Sequence, residues 1–163
     1  MAEPKTEDAD FSSVEYVQRV TTFLEKVSGW CREHGLTVER DAVTLNEELM
    51  ARYDAPSLHI TKDRVSVAKI LPVGSKIIGA KGRVDLIGRV ARHALLFYVG
   101  KAPAFSTQTI VGGKTTTSSS TRMLSGVDGD GWYWIEARIR RPKRVDESLF
   151  LDLLTDVSDH EFQ

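Results

Sequence analysis

The residues best equipped for chemistry gather between positions 132 and 144, Trp-Tyr-Trp-Ile-Glu-Ala-Arg-Ile-Arg-Arg-Pro-Lys-Arg. Their aromatic and branched content predicts a strand from Trp132 to Arg140, stopped by Pro142. Side chains alternate across a strand, so Trp132, Trp134, Glu136, Arg138 and Arg140 fall on one side and Tyr133, Ile135, Ala137 and Ile139 on the other. Indoles beside guanidinium groups can stack bases while the cations, extended by Arg141, Lys143 and Arg144, neutralise phosphates. The alternative is that a helix covers Trp132 and Trp134 while Arg138, Arg140, Arg141, Lys143 and Arg144 stand in solvent or pair with the acidic C-terminal helix.

A second cluster runs Gly82-Arg83-Val84-Asp85-Leu86-Ile87-Gly88 and then Leu95-Leu96-Phe97-Tyr98-Val99-Gly100-Lys101. Over these 20 residues, 82 to 101, the chain resembles the strand pair of the PD-(D/E)xK nuclease superfamily. The resemblance implies an aspartate in the first strand and a Glu-x-Lys in the second, together holding a magnesium ion. Such a site needs hard oxygen ligands and a lysine to steady charge developing at phosphorus. Asp85 and Lys101 match, but Val99 stands at the glutamate position and cannot ligate magnesium. Catalysis by Asp85 and Lys101 therefore requires another acid, such as Glu136 from a different strand. Otherwise Asp85 faces water or pairs with Arg83 or Arg89.

Other motifs carry less. Val111-Gly112-Gly113-Lys114-Thr115 lacks the first glycine and the helix start of a phosphate-binding loop. Asp128-Gly129-Asp130-Gly131 reads as a turn, without the closing glutamate of a calcium loop. The four histidines are scattered, and Cys31 lies on an apolar helix stripe without an activating neighbour, so it reads as core. No metal or cofactor site is assigned.

Charge is segregated along the chain. Residues 1–57 carry 6 basic and 12 acidic side chains, residues 58–145 carry 16 and 5, and residues 146–163 carry 0 and 6, giving −6, +11 and −6. Such asymmetry points to an anionic partner for the basic part or to acidic segments packed against it. The lone cysteine excludes an internal disulfide, and no apolar run approaches the roughly 20 residues of a membrane helix. The acidic start lacks the pattern of an export signal, so a cytoplasmic location is expected.

The elements that position these groups follow from periodicity. Residues 1–11 read as a disordered acidic tail, ahead of one domain over 12–163. Ser12 and Glu15 form a capping-box pattern, and Val17, Val20, Leu24, Val27 and Cys31 predict a helix from about 13 to 34, closed by Gly35. Thr44 and Glu47 suggest a second, short helix near 45–53. From Leu58 the period falls to about 2, which predicts an antiparallel meander with a tight turn at Lys62-Asp63. Ala94–Val99, apolar without alternation, reads as a central strand covered on both faces. The hydroxyl-rich stretch 106–121 is either two strands joined at Gly112-Gly113 or a mobile loop. Asp146 caps a last helix bearing Leu149, Phe150, Leu153, Leu154 and Val157.

The expected fold is α+β: one antiparallel sheet of five or six strands, with the N-terminal, short second and C-terminal helices on one face. Two functional readings stand beside it. One is a non-catalytic intracellular binding module whose basic sheet face meets an anionic or protein partner, nucleic acid included. The other is a degenerate or rebuilt metal-dependent nuclease-like protein.

Overall fold

A computed structural model describes residues 4–100, 104–105, 108–111, 114–117, 121–122, 127, 129–136 and 140–159, with backbone alone for 4–11 and 104–122. The first helix, α1, spans Pro4–Glu33 and begins well before residue 13. Pro4 suits a first helical position, where its missing N–H sacrifices no intrahelical bond. Ser12 and Glu15 therefore lie inside the helix rather than at its start, and part of the segment read as a tail is helical. At the other end Gly35 takes φ +74°, as expected, and the Leu36 N–H donates to the Cys31 carbonyl at 2.9 Å.

Seven strands follow as a meander, with four short ones inserted before the sixth. They are β1 (Thr37–Leu45), β2 (Tyr53–Lys62), β3 (Val65–Gly74), β4 (Arg83–Gly88), β5 (Arg92–Tyr98), β6 (Ala104–Phe105), β7 (Gln108–Val111), β8 (Lys114–Thr117), β9 (Thr121–Arg122), β10 (Gly131–Glu136) and β11 (Arg141–Arg144). The main sheet is antiparallel in the order β1-β2-β3-β4-β5-β10-β11. The hydroxyl-rich stretch contains paired strands: β7 pairs with β8, Val111 opposite Lys114, and β6 with β9. The last helix, α2, spans Glu147–Ser158, and the Asp146 carboxylate caps it by accepting the Leu149 N–H at 2.8 Å.

The sheet has seven strands, and no helix forms near 45–53. Thr44 is the penultimate residue of β1 and donates its hydroxyl to Asp54 across the pair at 2.6 Å, so it caps nothing. Leu49, needed for an apolar helix stripe, is 88 % exposed. The β2–β3 turn lies one residue further on than expected: Lys62 opposes Val65, and Asp63 and Arg64 both adopt positive φ, 50° and 68°. That is the geometry of a type I′ hairpin made without glycine.

Both helices cover one face. Tyr16, Val20, Leu24 and Val27 of α1 and Phe150, Leu154 and Val157 of α2 form one core with Leu58, Ile60, Ile70, Val84, Leu86, Leu95 and Trp132. Tyr16 pins α1 across the sheet: its hydroxyl donates to the Arg83 carbonyl at 2.5 Å and accepts the Val73 and Gly74 N–H groups at 3.1 and 3.2 Å. Burial, partly offset by these two N–H bonds, pushes its hydroxyl well above the ordinary tyrosine range. Cys31 is fully buried, and desolvation pushes its thiol up to about 12, consistent with a core residue. β5 is an interior strand covered on both faces: Leu95 joins the helix-side core, while Leu96 and Tyr98 pack with Val127 and Tyr133 on the other side.

Candidate functional site

Strand alternation sorts the candidate residues between the two faces. Val84 and Leu86 face the helices, so Arg83, Asp85 and Ile87 face away from them. Asp85 opposes Ala94, Arg83 opposes Leu96 and Ile87 opposes Arg92, which places Arg92 on the same face, diagonal to Asp85. The Asp85 carboxylate, 3 % exposed, accepts from Arg83 Nε at 2.7 Å and Nη2 at 3.2 Å, and makes a short ion pair with Arg92 Nη2. The two arginine side chains remain accessible to water, 36 % exposed at Arg83 and 65 % at Arg92. One buried anion thus holds two accessible cations side by side, leaving the cluster with a net positive charge.

This arrangement differs from a magnesium site. Asp85 is engaged by two cations, and Glu136 lies on the opposite face, with Trp134, where it pairs with Lys143 at 3.0 Å. Asp85 and Glu136 are therefore not brought together, and Lys101 lies outside the described residues. Among the described residues no three His, Cys, Asp or Glu side chains gather as ligands. The motif's glycines have a packing role. A Cβ at Gly82 would meet the Tyr16 ring at 2.6 Å, and one at Gly88 would meet the Val157 carbonyl oxygen at 2.3 Å.

The aromatic, basic segment is divided. Trp132, 7 % exposed, is packed beneath α1 against Phe23 and Phe97, both with ring centroids 5.3 Å away. Trp134 is half-buried, donating to His93 Nδ1 at 3.3 Å with Lys143 Nζ 5.9 Å from its ring centre. Neither indole lies on the helix-free face. β10 ends at Glu136, and Arg140 sits in a turn at φ +49°. The chain then returns as the edge strand β11, where Pro142 opposes Ile135 instead of stopping the strand. An edge strand tolerates the missing N–H. Arg140 and Arg141 are exposed, Lys143 lies over Trp134, and Arg144 sits 5.6 Å from the Tyr133 ring centre while donating to the Asp130 carbonyl. Arg138 lies outside the described residues.

The helix-free face thus carries a cationic cluster at Arg83 and Arg92, with Lys69 exposed beside them on β3, where it opposes Ile87. Sequence reasoning did not select Arg92. The usable signal was a hairpin register that puts it diagonal to Asp85. Towards the β1 edge the positive character fades, because Lys69 opposes His59 and His59 opposes Glu39. The ion pairs of α2 lie elsewhere and involve histidines: Glu147 with His34 at 3.4 Å and Asp156 with His93 at 2.5 Å.

A second polar centre joins two loops. Glu47 accepts the Ser75 and Lys76 N–H groups and the Ser75 hydroxyl, each at 2.9 Å, and a short bond from the Tyr53 hydroxyl. Burial raises its carboxyl, but these hydrogen bonds outweigh burial and hold it below the ordinary glutamate range. Among the described residues no helix is long and apolar enough to cross a membrane. Comparison with protein-family models, curated proteins and solved structures finds no match.

Proposed function

We propose that the chain is a non-catalytic binding module whose helix-free sheet face takes an anionic partner. The observation that carries this reading is the Asp85 cluster: a buried carboxylate orders Arg83 and Arg92, while both arginine side chains stay accessible to water. Ordering the arginines before binding lowers the entropy lost when they engage phosphate or carboxylate oxygens. The positions of the α2 acids support the same reading, since Glu147 and Asp156 pair with His34 and His93 rather than with these arginines.

Titration with a single-stranded oligonucleotide, and separately with polyglutamate, tests it. If two or three cations meet the polyanion, affinity for the oligonucleotide falls by roughly tenfold between about 50 and 200 mM salt. The combined Arg83→Ala and Arg92→Ala substitutions flatten that dependence. Polyglutamate binding without oligonucleotide binding would assign the face to an acidic protein. Absence of binding to both at low salt, or binding indifferent to salt, would overturn the reading.

A further inference from the structure

A groove of about 650 Å³ runs on the helix side of the molecule, between α1 and the β10 end of the sheet. Its volume falls within the range of small-molecule pockets. Phe97 lies half-buried in its floor, backed by the buried rings of Phe23 and Trp132, with Trp132 tilted 33° to Phe23 and nearly edge-on to Phe97 at 72°. Arg19 and Lys26 line the α1 wall, two helical turns apart, and Asp130 and Asp146 line the wall opposite.

The two walls differ in unused hydrogen-bonding capacity. Asp146 is engaged by the Leu149 N–H, and Asp130 by the Gly100 N–H. Arg19 is three-quarters buried, with its guanidinium 4.6 Å from the Phe97 ring centre. Its ion pair with Glu15 is 3.6 Å long, beyond hydrogen-bond distance, and among the described residues it donates no hydrogen bond. Lys26 has no hydrogen-bond or ion-pair partner among them. A three-quarters-buried arginine held by no hydrogen bond, its one ionic contact a distant and exposed Glu15 carboxylate, offers its fork to a planar, two-oxygen anion.

We infer that this groove binds a small aromatic carboxylate. Its ring packs on the accessible part of Phe97, its carboxylate takes the Arg19 fork, and Lys26 adds a second positive charge. The carboxylate, rather than the ring alone, sets the affinity, because it offers the Arg19 fork two charged oxygens where an amide offers one neutral one. This site is distinct from the Asp85 face, which lies on the other side of the sheet.

The probe is 2-naphthoate, titrated into the full chain and followed by calorimetry and by quenching of tryptophan fluorescence. Saturable one-to-one binding is expected, with the neutral isostere 2-naphthamide binding at least tenfold more weakly. Arg19→Ala should lower affinity for the acid by about tenfold or more and leave affinity for the amide nearly unchanged. Lys26→Ala should weaken the acid about threefold, the scale of an exposed charge. Arg64→Ala, which removes a cation from the β2–β3 turn, should change neither. The comparison of acid with amide uses the unmodified chain and so does not depend on how any variant folds. No saturable binding of 2-naphthoate, equal affinity for acid and amide, or an Arg19→Ala variant that binds the acid as before would overturn the inference.

Discussion

The same strands present two unlike faces to their surroundings. On the helix side, Val84, Leu86, Leu95 and Trp132 meet the apolar stripes of α1 and α2, and burial of these side chains supplies cohesion. On the other side, residues one position along, Arg83, Asp85 and Arg92, form an ion cluster that two helices do not cover. The difference teaches how a pleated sheet separates stability from recognition: period-2 alternation lets one strand serve the core and a partner without either constraint displacing the other.

The contrast is broken most severely from the helix side. Trp132→Ala removes the ring between Phe23 and Phe97 and is expected to cost about 3–5 kcal/mol, read as a shift in the urea midpoint. A loss below about 1 kcal/mol would mean that the helix-covered face is not the main source of cohesion.

Glu47 gives the next effect. Glu47→Gln keeps the shape but removes the negative charge that the Ser75 and Lys76 N–H groups and the Tyr53 hydroxyl serve, at an expected cost of about 1–2 kcal/mol near neutral pH. Because the folded-state carboxyl lies below its ordinary value of 4.5, its contribution is complete above that value and is lost as pH falls through the folded one. Urea melts between neutral pH and pH about 3 should therefore show the variant's deficit narrowing with acid. A constant deficit would separate Glu47 from the acid response.

Asp85→Asn gives the smallest effect and sharpens the comparison between faces. Removing one negative charge beside two water-accessible arginine side chains should cost stability only about 1 kcal/mol. Affinity for an oligonucleotide should fall a few-fold, because the lost ordering of Arg83 and Arg92 outweighs the one unit of positive charge gained. A rise in affinity would show that the added charge outweighs holding the arginines in place.

Much of the fold was legible because apolar periodicity is local. The stripe from Val17 to Cys31, the Gly35 stop, the Asp146 cap and the covered β5 can each be read from neighbouring residues, and each acts locally in the structure. The short second helix failed for the opposite reason. Thr44 and Glu47 have the spacing of a capping box, but their polar atoms bond to Asp54, Ser75 and Lys76, 10 to 29 positions away. β11 was missed because the reversal at Arg140 uses a left-handed residue other than glycine, leaving Pro142 to look like a stop rather than part of an edge strand. In the candidate site, Gly82, Asp85 and Gly88 matched a local nuclease pattern. Their surroundings are a tyrosine ring, two arginines and a helix carbonyl, and two of those come from distant elements.

Residue-resolved amide shift mapping of the full chain with a single-stranded oligonucleotide tests the central claim most directly. The account predicts perturbations on β3, β4 and β5 around Lys69, Arg83, Asp85 and Arg92, fading as salt is raised, with α1 and α2 quiet. Perturbations confined to the helices, or none at low salt, would contradict it.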